Sequence, residues 1–83
     1  MTHFISITKI GEEIELTGNL RIKEYLLSKT TLKHCDGSNL VKNSPFWAVQ
    51  IEHAFQLNLI SLNRNEFSGV ITIDMVFDNP KAK

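Results

Sequence analysis

The sequence predicts a mostly β fold, in the form of a small antiparallel β-sandwich or barrel of about five or six strands. Two observations support this prediction. Several segments alternate apolar and polar residues with the period of two that a half-buried strand requires. In addition, Gly11, Gly18 and Gly37 fall between those segments, where hairpin turns are expected. With 83 residues, 42% of them hydrophobic, the chain is expected to form a single domain over 1–83.

The first hairpin has the clearest turn signal. Residues 3–10 are rich in β-branched types, and Gly11 stands where a type II′ turn needs a positive φ. A two-residue loop pairs Ile7 with Leu16 and collects the apolar residues of both strands on one face. Most polar residues of the two strands then face the opposite way. Ile10 falls on the polar side, where it either covers a second sheet or forms an exposed patch.

Residues 20–29 fit either a strand or a helix. If 17–19 is a hairpin loop, two apolar pairs and two ion pairs form across it. These pairs are Leu16–Leu20, Ile14–Ile22, Glu15–Arg21 and Glu13–Lys23. Their agreement favours a third strand over 20–27. The alternative is an α+β fold with one helix at 20–29, capped by Asn19.

A further short hairpin is predicted in the middle of the chain. A strand at 31–34 is expected to turn at Asp36-Gly37, which is a typical type I′ sequence. The turn pairs Leu32 with Val41 across the hairpin.

The longest alternating segment is 46–59. Most of its apolar residues occupy odd-numbered positions. Because this spacing would distribute them around the whole circumference of a helix, a strand is favoured. Ser44-Pro45 is a typical helix start, but the alternation contradicts it. A strand of this length is expected to bend or to contain a bulge, and the change of parity at Leu59-Ile60 is one candidate site.

Residues 70–77 alternate again, and they are expected to form the last strand, antiparallel to the preceding one. Matching the apolar faces pairs Leu59 with Ile71 and places a loop around 64–66. The tail at 81–83 is expected to be frayed.

Composition excludes several classes of function. Nine basic residues cancel nine acidic ones, so a general polyanion binder is not expected. No run of ~18 apolar residues could span a membrane, and no secretion signal is visible. The single cysteine, Cys35, cannot form an internal disulfide. We therefore expect a small soluble protein of the cytoplasm.

His34, Cys35 and Asp36 form the most suggestive triplet, because all three are metal ligands and Cys–His is a nucleophile–base pair. With His53 on the apolar face of the long strand, they make a small metal-dependent enzyme one alternative function. Three adjacent residues on a hairpin cannot all point at one ion, however, and no second cysteine is present. The sequence therefore predicts no catalytic, cofactor-binding or metal-ligating residue.

A second alternative is an OB-like module for single-stranded nucleic acid. The middle of the chain combines basic residues with aromatic rings on which bases stack: Lys29, Lys33, His34, Lys42, Phe46 and Trp47. The zero net charge and the core-facing parity of Trp47 argue against this function.

The favoured function is a non-catalytic binding protein that acts through a sheet face or edge, of the inhibitor or immunity type. The expected partner is a second copy of the chain or another protein, because strand 70–77 has few charges to protect it as a sheet edge. Phe67 is a large apolar residue in a polar loop with Arg64, and Val70 and Val76 lie along the last strand. These four residues are the predicted partner contacts.

Overall fold

In residues 1–80, which this computed structural model describes, a four-stranded antiparallel sheet carries four helices on one of its faces. The tail at 81–83, predicted to be frayed, lies outside the described residues. In chain order the elements are β1 (Thr2–Ile10), β2 (Glu13–Gly18), α1 (Leu20–Leu27), α2 (Thr30–Lys33), α3 (Gly37–Lys42), α4 (Ser44–Phe55), β3 (Asn58–Phe67) and β4 (Val70–Asp78).

The prediction of a mostly β fold is confirmed only in part. Of the residues that the structure describes, 42% lie in strands and 38% in helices, so the fold is α+β. The strand order is β2-β1-β4-β3 in a single open sheet, and the predicted sandwich or barrel is not formed. The helical layer takes the place of a second sheet.

The first hairpin has the predicted register. Ile10 pairs with Glu13 and Ile7 with Leu16, and Gly11 in the turn has a φ of 59°. Ile7 and Leu16 are buried as expected. Alternation and turn chemistry agree in this segment, so the short loop fixes which residues face each other.

The predicted third strand at 20–27 is wrong, because this segment forms α1. Asn19 caps the helix: its side-chain oxygen accepts a hydrogen bond from the Ile22 amide at 3.0 Å. Ile22 and Leu26, one helical turn apart, are buried in the core. The proposed cross-strand pairs therefore do not form, and the helix alternative is the one that the structure adopts.

The predicted strand at 31–34 and the hairpin at Asp36-Gly37 are also wrong. Two short helices, α2 and α3, occupy this region, and each buries a leucine. Asp36 caps α3, since its carboxylate accepts a hydrogen bond from the Asn39 amide at 2.7 Å. Aspartate suits both a turn and a helix N-terminus, which is why the local sequence did not separate the two.

The predicted strand over 46–59 is replaced by α4 and the beginning of β3. The helix begins at Ser44-Pro45, where a proline in the first turn removes no intrahelical hydrogen bond. It carries apolar residues around most of its circumference: Trp47 is buried, whereas Val49 is 47% exposed. A helix with apolar residues on several sides has a sequence that alternates like that of a strand. This similarity explains why a strand was predicted over 46–59.

The last hairpin has a register that differs from the predicted one. Leu59 pairs with Phe77 rather than with Ile71. The predicted loop at 64–66 belongs to β3, and the turn lies at 68–69, where both residues have positive φ.

A bulge interrupts β3 at the predicted place. The register shifts between Leu59 and Ser61, so Ile60 is the extra residue. The Glu52 carboxylate of α4 accepts a hydrogen bond from the Leu59 amide at 2.6 Å, next to the bulge. This contact ties the end of the helical layer to the beginning of β3.

One hydrophobic core lies between the sheet and the helices. The β4 residues that were predicted to share a face are all buried in it: Ile71, Ile73, Met75 and Phe77. The helices contribute Ile22, Leu26, Leu32, Leu40, Trp47 and Ile51.

Gly18 lies at a close approach of two chain segments. Its φ is 119°, and a Cβ there would overlap the carbonyl oxygen of Phe4, whereas a Cβ at Gly11, with φ 59°, would touch nothing. We expect Gly18→Ala to lower the free energy of unfolding by more than about 2 kcal/mol and Gly11→Ala by only about 1 kcal/mol. Urea denaturation followed by circular dichroism measures both losses. Equal losses would contradict the overlap at Gly18.

Candidate binding face

The sheet has one face against the helices, and no described element covers the other, which we call the open face. The pairing register assigns side chains to it. The even-numbered residues of β1 and β4 lie on the open face, together with the odd-numbered residues of β2 and those of β3 beyond the bulge. The odd-numbered residues of β1 and β4 lie on the core side, where Ile5, Ile7 and the four such residues of β4 are buried.

Two apolar patches lie at opposite ends of the open face. At one end Ile10, Val70 and Phe67 are neighbours across three strands, and Ile10 is 56% and Phe67 79% exposed. At the other end Phe4 pairs with Val76 and is 55% exposed. The six-residue step from Phe4 to Ile10 along β1 separates the patches by about 20 Å. These side chains are available for contact with another molecule.

A polar belt separates the two apolar patches. The Ser6 hydroxyl donates a hydrogen bond of 2.6 Å to the Asp74 carboxylate, and Thr8 pairs with Thr72 in the next row. Most side chains of the belt are short, so the ends of the face project beyond its centre. Hydrogen-bonding groups beside apolar anchors are the usual composition of a protein interface.

Three of the four predicted partner contacts lie on the open face: Phe67, Val70 and Val76. Arg64 lies on the opposite side, where its Nη1 donates a hydrogen bond to the Val41 carbonyl oxygen at 3.3 Å. The sequence interpretation did not identify Phe4. The signal was present, because Phe4 has the parity of Ser6 and Thr8 on the same strand.

β4 is an interior strand, paired with β1 on one side and with β3 on the other. The prediction that 70–77 forms a sheet edge is therefore wrong, and this strand cannot make an edge-to-edge contact with another chain. Val70 and Val76 are available only through the open face.

The structure divides the residues of the proposed metal-dependent enzyme between two clefts: His34, Cys35 and Asp36 line one, and His53 lines another. His34 Nδ1 lies 3.1 Å from the Thr30 carbonyl oxygen, and Cys35 packs half-buried against the core. His53 is exposed on α4, in a different cleft. In residues 1–80 no group of three histidine, cysteine or acidic side chains has an arrangement that could hold a metal ion.

Of the two rings in the proposed nucleic-acid platform, Phe46 is 54% exposed, but Trp47 is buried. Trp47 is only 2% exposed and packs edge to face against Phe46. The Lys29 ammonium lies over the ring of Tyr25, 4.7 Å from its centroid. Because bases stack on exposed rings, Trp47 cannot supply such a platform in this conformation.

Burial raises the pKa of the Cys35 thiol, the Asp36 carboxylate raises it further, and Lys9 opposes the shift. The thiolate is the form that reacts with alkylating agents. We therefore expect iodoacetamide at pH 8 to modify Cys35 several-fold more slowly in the folded protein than in the chain unfolded in urea. A mass-spectrometric time course measures both rates, and faster modification of the folded protein would contradict the expectation.

No protein-family model matches this chain, and no curated protein or solved structure is significantly similar to it. None of the helices in residues 1–80 has the length and the apolar run needed to cross a membrane.

Proposed function

We propose that this protein is a non-catalytic binding protein whose open face contacts a protein partner. The observation that carries the proposal is the exposure of Phe4, Ile10 and Phe67, each more than half exposed, on one face of one sheet. Large side chains of this kind are the usual anchors of protein interfaces. Burying each of them against a partner would contribute roughly 1.5–3 kcal/mol.

The rigidity of the sheet supports this function. β1 and β4 pair along nine residues each, and the core-side residues at the centre of β1 and along β4 are buried. The two apolar patches are therefore held at a fixed separation before any partner arrives. Preorganisation of this kind lowers the conformational entropy that binding must overcome.

The proposal includes an inhibitor or immunity-type role, with another protein or a second copy of the chain as partner. Since β4 is interior, the contact runs through the face of the sheet. The cytoplasm is the proposed location, because the sequence has a single cysteine and disulfides are rare in that compartment. The separation of His34 and Cys35 from His53 favours binding over catalysis.

The double variant Phe4→Ser/Phe67→Ser tests the proposal. We expect it to weaken capture of the native partner from a lysate of the source organism by about 10-fold to 100-fold, since each anchor is worth about 1 kcal/mol or more. We expect the variant to keep its fold, because both side chains are exposed. Circular dichroism and a urea titration check this expectation.

Phe46→Ser is the matched control, because Phe46 is 54% exposed on α4 and Phe4 is 55% exposed on the open face. The control removes a similar aromatic surface from the helical layer. Capture that is unchanged in the double variant, or equally weakened in the control, would contradict the proposed role of the open face.

A further inference from the structure

The zero net charge of the chain conceals a separation of charge between its two layers. Within residues 1–80 the open face carries four carboxylates and no basic side chain. The carboxylates are those of Glu13, Glu15, Asp74 and Asp78. The pairing register alone places them there, because each lies across from an open-face residue of β1.

The basic side chains of the described residues are all on the other side of the sheet. In the strands, Lys9 and Arg64 have the parity of the core side, since Lys9 pairs with Ile71 and Arg64 with Ile73. The others lie in or next to the helices: Arg21, Lys23, Lys29, Lys33 and Lys42. The helical layer is therefore the basic side of the molecule, and the open face is the acidic side.

Most of the acidic groups on the open face lack a basic neighbour. The N-terminal ammonium of Met1 lies 3.3 Å from the Asp78 carboxylate. Among the described residues, no basic group lies within ion-pair distance of Glu13, Glu15 or Asp74. Within residues 1–80, the face therefore presents negative charge without basic neighbours between and beside its apolar patches.

Two of the acidic groups, Glu13 and Glu15, adjoin the apolar patch at the hairpin end. A cleft of about 280 Å³ is lined by Thr8, Ile10, Glu13, Ile14 and Glu15. A lysine or arginine side chain can lay its aliphatic stem on Ile10 and direct its charged end to the two carboxylates. The cleft thus offers one basic side chain both an apolar surface for its stem and carboxylates for its charge.

We propose that the partner of the open face is a protein with a basic surface, in which lysine or arginine side chains accompany apolar ones. This inference rests on the proposed binding function and specifies the chemistry of the partner. A second copy of the chain, docked face to face about a two-fold axis, would bring like charges together. A nucleic acid would be repelled from the same face.

Two short peptides test the charge preference with the intact 83-residue chain: the capped cationic peptide RLRGRLR and its acidic counterpart ELEGELE. We expect RLRGRLR to shift the backbone amide resonances of 8–15 and 70–74, and to bind more weakly as NaCl is raised from 50 to 300 mM. ELEGELE and an oligothymidylate of eight nucleotides should leave these resonances unchanged. Shifts confined to the helices, or equal shifts with ELEGELE, would overturn the inference.

Two double variants with isosteric Glu→Gln changes distinguish an effect of charge on the open face from an effect of the net charge of the protein. Glu13→Gln/Glu15→Gln removes two carboxylates from the open face, and we expect it to weaken RLRGRLR binding about two- to thirty-fold, as two exposed ion pairs predict. Glu24→Gln/Glu66→Gln changes the net charge equally, outside the open face, and should leave binding within two-fold. Equal effects of the two variants would overturn the inference.

The same variants, used in the lysate capture, distinguish this inference from the proposed function. If Phe4→Ser/Phe67→Ser weakens capture but Glu13→Gln/Glu15→Gln does not, the open face binds a partner and the inference of a basic partner fails. If neither double variant weakens capture, the proposed function fails. Sedimentation of the wild-type protein as a dimer, abolished by the phenylalanine variant, would assign the face to a second copy and overturn the basic-partner inference.

Discussion

The pairing of the first strand with the last is the interaction on which the rest of the structure depends. Nine residue pairs, from Thr2–Asp78 to Ile10–Val70, join β1 to β4 in the centre of the sheet. This ladder unites two hairpins that are each local in sequence, and it gives the helices a surface to pack on. It also closes a loop of nearly the whole chain, which costs conformational entropy before any long-range contact forms. The buried residues of the two strands offset that cost.

Sequence reasoning succeeded where a period-two pattern and a turn residue agreed. The register of the first hairpin and the buried face of β4 follow from alternation, because a slip by one residue would turn every apolar side chain outward. It failed between 20 and 55, where apolar periods are short and a strand and a helix look alike. In that region the capping residues Asn19 and Asp36 and the Ser44-Pro45 pair were the correct signals. Local hydrogen bonds to the backbone therefore outweighed the parity of a few apolar residues.

The open face was only partly visible in the sequence, for a related reason. Phe67, Val70 and Val76 stand out because they are apolar in polar surroundings or lie on a strand with an obvious inner face. Arg64 has the wrong parity, which cannot be known before the bulge and the turn at 68–69 fix the register of β3. The charge separation is likewise not apparent from the net charge of the sequence, which is zero. It appears only when each acidic and basic residue is assigned to a side of the sheet.

The error at 20–27 and the acidic character of the open face have a common cause. Had this segment continued the meander, Arg21 and Lys23 would have faced Glu15 and Glu13 across the sheet and neutralised them. Because Asn19 begins a helix instead, the chain leaves the sheet and carries both basic residues into the helical layer. The glutamates stay on the open face, where no basic group of residues 1–80 forms an ion pair with them. The helix that Asn19 begins thus places Arg21 and Lys23 away from the open face, and this placement leaves the face with its negative charge.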